Sequence, residues 1–312
     1  MLPTALRQGD TIGVVAPSNP VTGAERGQLE RGMACLQRMG FTVRLGEHLR
    51  STALGYAAAP LEKAADIKAM FADDSVAAIL CAQGGDTANA CLPYLDWNLI
   101  RAHPKIFMGI SDVTVLLNAL YARAGLVTFH GDDVLWGLGR DQAPYMLEEF
   151  VERLVAGRTG PVRAGGPRAT IRGGTAEGVL LGGNLPGLLK LAGTPYFPDF
   201  SGAILFVEAI DITPARCDYA FTQLKQMGVF ARAQGAIVGY IDGSEDRPDQ
   251  PIQMADVLSA VTAEYDFPIL KVRDFGHNCP NTVLPVGGRV RMDADRQTYE
   301  IVEACIRPRG QA

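Results

Sequence analysis

Three residues of this chain stand at the kind of places where acyl-transfer chemistry is done: a serine, a histidine and a glutamate, each just past an apolar run. Residues 105–108 form a short, mostly apolar run after Pro104, the profile of a buried strand. Gly109 permits a tight turn, and residues 113–121 repeat apolar side chains at helical spacing. Ser111 therefore falls where a strand hands over to a helix. A side chain there is exposed at the carboxyl edge of a sheet, beside the free amides of a helix N-terminus. Nucleophilic serines often occupy such an elbow, although the G-x-S-x-G pattern is only half present here. Serine is also a preferred N-cap, and on this stretch alone the cap is the better reading.

Histidine is scarce, with only His48, His103, His130 and His277 to serve as a general base near neutral pH. His48 and His103 lie in polar stretches that read as surface loops. His130 ends a strand directly before Gly131, and His277 lies just past a strand in a loop rich in turn residues. Taken singly, each of these two reads better as a ring satisfied by a backbone carbonyl than as a catalyst. Glu208 ends the apolar run 204–207, where a buried carboxylate without a partner would be costly. A histidine N–H would serve as its donor. Pairing with Arg216, or exposure beyond the strand end, is the plainer alternative, and Asp211 is the rival acid.

Other features carry less. Gln83-Gly84-Gly85-Asp86 is a glycine turn whose amides could point into the same crevice as Ser111. It matches neither the dinucleotide fingerprint nor a P-loop. Gly182-Gly183-Asn184 reads as a similar turn or a packing contact. No cluster of Cys and His has ligand spacing, so no metal or other cofactor is expected. Cys279, near His277, and Cys81, near the glycine turn, read better as buried inert thiols than as nucleophiles.

The elements that must position these residues alternate strand and helix through the first half. Strands are expected at 11–16, 41–45, 76–82, 105–108 and 126–130, with helices at 25–39, 60–71 and 113–121 between them. That alternation implies right-handed crossovers and a parallel sheet. The expectation is a doubly wound α/β domain over 1–150 and a Gly-, Pro- and Arg-rich linker over 151–175. A mixed, β-rich domain follows over 176–312, with strands at 203–208, 236–240 and 269–273 and a closing hairpin at 289–302.

Composition bounds the class. The chain has 312 residues, 47% of them hydrophobic and 20% charged, which is ordinary for a soluble globular protein. A net charge of -5 gives no reason to expect nucleic acid or an anionic membrane as partner. The first residues lack the pattern of a signal peptide, no apolar segment reaches membrane-spanning length, and the six cysteines are scattered. A cytoplasmic protein with reduced thiols is expected.

Together these pieces resemble the serine LD-carboxypeptidases, a family that includes the microcin C self-immunity peptidases. The resemblance spans nearly the whole chain. It is carried by Val14-Val-Ala-Pro-Ser18, Gly84-Gly85, Pro93-Tyr-Leu-Asp96, Gly109-Ile-Ser-Asp-Val-Thr114, Leu181-Gly-Gly-Asn-Leu185 and Gly193-Thr-Pro195. Ile204-Leu-Phe-Val-Glu208, Gly276-His277 and Leu284-Pro-Val-Gly287 complete it. It implies a Ser-His-Glu triad, by motif position Ser111, His277 and Glu208. It also implies an N-terminal α/β domain and a C-terminal β-rich domain with the site in the cleft between them, and a homodimer. On that assignment His277 would take the Ser111 proton, and Glu208 would fix the imidazole tautomer. The amide of Asp112, with one from Gly84 or Gly85, would bind the oxyanion.

The chain also departs from the family. Many murein-type members carry Arg before the Gly-Gly turn, where this chain has Gln83, and Ala209 follows Glu208 where Asp is frequent. Residues 92–100 look closer to the microcin-immunity branch. Trp136 reads equally as a packing aromatic and as a platform for a base. The first expectation is removal of the terminal D-alanine from murein tetrapeptide. The alternative is cleavage of aminoacyl-sulfamoyl or phosphoramidate adenylates. A non-catalytic small-ligand binder is the reading from a different class.

Overall fold

The structure, a computed structural model, describes residues 1–141, 143–246 and 251–309. The first half builds strands β1 (Thr11–Val15), β2 (Thr42–Leu45), β3 (Val76–Cys81), β4 (Ile106–Gly109) and β5 (Thr128–His130). All pair in parallel, and the connecting helices Arg26–Arg38, Pro60–Ala72 and Thr114–Ala124 follow the expected apolar spacing. β4 and β5 are buried along their whole length, as expected of strands covered on both faces. After the glycine turn comes a 3₁₀ segment, Ala88–Tyr94. Pro93 lies within it and lacks the N–H that an α-helical ladder would need there.

The second half adds β6 (Gly160–Pro161), β7 (Ala169–Arg172), β8 (Thr175–Asn184), β9 (Ala203–Ala209), β10 (Gly235–Ile241) and β11 (Ile269–Lys271). β12 (Leu284–Val286), β13 (Arg289–Asp293) and β14 (Thr298–Ile301) follow. Eight of these form one sheet in the order β6-β14-β13-β8-β9-β10-β11-β7, with β8 to β11 parallel at its centre. Residues 151–175 contain a π-helical turn, Val151–Val155, and the strands β6 and β7 of this sheet. Gly182, Gly183 and Asn184 are the last residues of β8.

β12 does not join its neighbours in sequence. It crosses to the first sheet and pairs antiparallel with β5, giving the order β12-β5-β4-β3-β1-β2. The stretch 272–283 therefore spans from one sheet to the other, and His277 sits on it.

One continuous apolar core runs through both halves. Buried polar clamps set their register. Asn118 on the helix Thr114–Ala124 donates to Gly182 O (2.8 Å) and accepts from Gly182 N (3.2 Å), while Thr114 Oγ1 accepts from Asn184 N (2.8 Å). A Cβ at Gly183 would lie 2.5 Å from Thr114 Oγ1, so only glycine lets the strand approach the helix this closely. No helix among the described residues is long and apolar enough to cross a membrane.

Candidate active site

Ser111 is built by a sharp reversal of the backbone. β4 ends at Gly109, Ile110 is extended, and Ser111 takes a positive φ of 65° before a single 3₁₀ turn leads into the helix Thr114–Ala124. A left-handed serine is uncommon and costs backbone energy, so the surrounding fold must hold it. The cap positions of the turn and of the helix are Ile110 and Val113, so Ser111 is not serving as an N-cap. Beside it runs the Gln83–Asp86 turn. A Cβ at Gly84 would lie 2.6 Å from Ser111 Cβ, 2.8 Å from its Oγ and 3.4 Å from the Asp112 amide nitrogen. Only a hydrogen at that position leaves the serine room.

Asp112 anchors the elbow from below. Its carboxylate accepts from Ser18 Oγ (2.5 Å), the Ala88 amide (2.8 Å) and Lys190 Nζ (2.6 Å). Lys190, from the second half, also donates to Asp86 O at 2.9 Å. The glycine turn and the elbow are thus tied to one buried carboxylate.

Glu208, the penultimate residue of β9, is in register with Asn184 of β8, and its side chain is wholly buried. Its carboxylate accepts from His277 Nδ1 at 2.6 Å, the His277 amide at 3.2 Å and Asn184 Nδ2 at 3.0 Å. Burial alone would raise its pKa. The His277 ring in contact with it, with His130 behind, outweighs that and holds the carboxyl below the ordinary carboxylate range. An ionised carboxylate only accepts, so His277 Nδ1 carries the proton and the neutral ring keeps its acceptor on Nε2. Burial pulls the His277 pKa down, but the Glu208 charge more than compensates and the net direction is upward. Asp211, the rival acid, is exposed, and Glu208 is the carboxylate that touches the ring.

Ser111 and His277 line one cleft of ≈ 630 Å³, with Gly84, Asp132, Trp136 and Asn281 around it. Gln83 and Trp136 meet each other: Trp136, 42% exposed, donates Nε1–H to Gln83 Oε1 at 2.9 Å. Gln83 in turn donates to Pro20 O at 2.8 Å, and the Arg140 guanidinium lies 5.0 Å over the indole. Asp132 bonds Asn281 Nδ2 at 2.8 Å; although part of it faces the cleft, burial pushes its carboxyl up to about 7. Burial likewise raises Asp133, which caps the amides of Trp136 and Gly137, to about 6.

The remaining candidates fall elsewhere or are inert. His48 pairs with Asp66 at 2.8 Å and His103 with Asp74 at 3.3 Å, and neither histidine lines the cleft. Burial pushes the Cys279 and Cys81 thiols up, which leaves neither activated as a nucleophile. Among the described residues no group of three or more His, Cys, Asp or Glu could hold a metal ion. Asn184, Asp132 and Lys190 were not singled out in the sequence as side chains of the site. For Asn184 the signal was available, because it ends a glycine pair after a long apolar strand beside the Glu208 strand. For Lys190 there was none, since a lysine on a short helix looks like any solvated one.

The Glu208–His277 pair can hold an imidazolium against a buried anion, and Ser111 lines the same cleft. Comparison with known proteins gives the family. The profile described as "LD-carboxypeptidase N-terminal domain" matches residues 12–131, and that described as "LD-carboxypeptidase C-terminal domain" matches residues 177–292. A probable murein peptide carboxypeptidase of Bacillus subtilis is 33% identical over 306 residues, covering 97% of this chain and 95% of that protein. The microcin C7 self-immunity protein MccF of Escherichia coli is 29% identical, covering 97% and 96%. Among solved structures, MccF in complex with aspartyl sulfamoyl adenosine superposes with a TM-score of 0.90 at 28% identity, covering 98% of this chain and 100% of the other.

Proposed function

This chain belongs to the LD-carboxypeptidase family, and on that premise we propose that it is a serine carboxypeptidase acting through Ser111, His277 and Glu208. The observation that carries the reading is the 2.6 Å contact between Glu208 Oε2 and His277 Nδ1 at the cleft that Ser111 lines. His277 Nε2 takes the proton as Ser111 Oγ attacks the scissile carbonyl, and Glu208 stabilises the imidazolium that forms. The Asp112 amide and one from Gly84 or Gly85 receive the oxyanion; losing one such donor costs roughly 2.7–4 kcal/mol in the barrier. The imidazolium then gives its proton to the leaving amine. A water, activated by the same ring, releases the acyl group and restores the serine.

The substrate in this reading is murein tetrapeptide, cut to release its terminal D-alanine, in the cytoplasm as part of peptidoglycan recycling. The working form is a homodimer, and no cofactor takes part. The halves 1–150 and 176–312, joined through 151–175, bring the serine from one side and the histidine and glutamate from the other. A second reading is supported by the likeness to MccF and by the exposed indole of Trp136: the cleft takes an aminoacyl adenylate mimic, and Trp136 stacks on its base.

The test is turnover followed by mass spectrometry on murein tetrapeptide and on aspartyl and glutamyl sulfamoyl adenosine, with Ser111→Ala as control. Release of D-alanine, lost in the variant, is the expected result. Cleavage of the sulfamoyl adenosines alone replaces the murein reading with the second. If Ser111→Ala binds either compound as the wild type does and neither is cut, the protein is a binder and the peptidase reading falls.

A further inference from the structure

His130 ends β5, where it pairs with Gly109 of β4 and Leu284 of β12, and its side chain is wholly buried. Neither ring nitrogen has a hydrogen-bond partner among the described residues. Buried imidazoles are ordinarily bonded, so an orphan of this kind asks for an explanation. Its surroundings supply one. The ring stands edge-on to Phe206 and Phe275, with centroids 5.4 and 6.0 Å away. Those two phenylalanines lie two residues before Glu208 and His277 respectively. The polar atom in front of the ring is Glu208 Oε1, 4.0 Å from His130 Nε2.

Glu208 has capacity for that donor. Oε2 faces His277, and Oε1 accepts only Asn184 Nδ2 among the described residues, leaving one lone pair. We infer that His130 is a positioning residue that donates its Nε2–H to Glu208 Oε1, holding the carboxylate ionised and oriented toward His277. The inference rests on the reading of Ser111, His277 and Glu208 as a triad. Closing the gap needs a movement of roughly 1 Å, small enough for a carboxylate rotation. The charged group against the ring is Glu208 from β9, and Asp132 and Asp133 follow His130 in the chain. A phenylalanine would fill the same aromatic box with no polar cost, so a purely structural site would not favour histidine.

That contrast sets the experiment. His130→Phe fills the space and removes the donor; His130→Gln keeps a donor near the Nε2 position. With murein tetrapeptide as substrate, His130→Phe is expected to lower kcat roughly 10–100-fold, the size seen when outer partners of metal ligands are lost, with KM nearly unchanged. His130→Gln is expected to recover most of that loss while melting at a lower temperature than His130→Phe. A structural role gives the reverse order: the better-packed phenylalanine would be the more active. His130→Phe with wild-type kcat beside a dead Ser111→Ala overturns the inference alone. A Ser111→Ala variant that keeps turnover overturns the triad reading, and the inference with it. A second readout needs no substrate. In the ¹⁵N-imidazole spectrum, His130 is expected as the Nε2–H tautomer, with a signal that moves in Glu208→Gln. An Nδ1–H tautomer indifferent to that change would overturn the contact.

Discussion

Lys190 Nζ lies 2.6 Å from Asp112 Oδ1, and Asp112 directly follows Ser111. A cation from the second half of the chain therefore grips the residue whose amide adjoins the nucleophile. The same ammonium holds Asp86 O at 2.9 Å, so one side chain spans elbow and glycine turn together. Lys190→Ala leaves a buried carboxylate short of a donor. The expected cost is about 1–3 kcal/mol of stability, read from denaturant midpoints. It should also lower kcat more than it raises KM. An unchanged midpoint would show that Ser18 and the Ala88 amide satisfy Asp112 alone.

The glycine beside the serine admits a sharper test. A methyl at Gly84 would overlap Ser111 Cβ at 2.6 Å. Gly84→Ala is expected to lower turnover by about 10²-fold or more, the loss typical when an oxyanion donor is displaced. Circular dichroism should stay native, because the clash is local to the cleft. Wild-type turnover in this variant would remove the glycine turn from the proposed oxyanion site.

The proposed base should set the acid limb of the rate profile. The Glu208 charge raises the His277 pKa above its ordinary value, so the neutral, active ring is lost as pH falls through that raised value. In Glu208→Gln the supporting charge is gone and burial dominates, so the residual activity should show its acid limb at lower pH. The rate itself should drop by about 10²–10⁴-fold, because the amide does not enforce the tautomer. An acid limb that stays in place would assign the titration to another group, with Asp132 and Asp133 the first to examine.

Stability should carry a separate signature from Asp132. Its carboxyl is raised from 3.8 to about 7 by burial, so the folded protein holds a proton there that the unfolded chain releases. A raised group contributes its stability fully below pH 3.8 and loses it as pH rises toward 7. Glu208 works the other way, contributing above its ordinary range and losing that contribution only in acid. Between about pH 4 and 7, Asp132→Asn should therefore flatten the fall in melting temperature with rising pH. Parallel wild-type and variant curves would show that Asp132 stays ionised.

Trp136 is tied to Gln83 rather than sealed in the core. Trp136→Ala should raise KM by about 5–50-fold with a smaller change in kcat, as for lost stacking area. Substrate should also quench the native tryptophan fluorescence, and that quenching should diminish in the variant. A KM equal to wild type would make the indole a packing residue only.

Much of this was legible in the chain. The strand-turn-helix around Ser111, the apolar strand ending in Glu208 and the turn-rich segment after residue 273 follow from local periodicity and glycine placement. Local pattern needs no partner to be read. The motif order also placed Ser111, Glu208 and His277 in one family's sequence. Local pattern favoured a helix cap for Ser111, because an N-cap and an elbow share the same residue type and position and the cap is the commoner of the two. The positive φ that separates them is held by the Asp112 anchors, which lie 24 to 94 residues away in sequence.

What tertiary structure alone decided is who meets whom. Nothing in local spacing says that β12 leaves its sequence neighbours and pairs with β5. Yet that crossing leaves the sheet that holds Glu208 for the sheet that leads into Ser111, and it carries His277 to the cleft that Ser111 lines. Choosing Glu208 over Asp211, giving Asn184 to the same carboxylate, and turning Lys190 toward Asp112 all depend on long-range pairing. The physical reason is common to them. A residue's local conformation is set by its neighbours in the chain, but the partner of a buried charge is set by which strands the whole core can bury side by side.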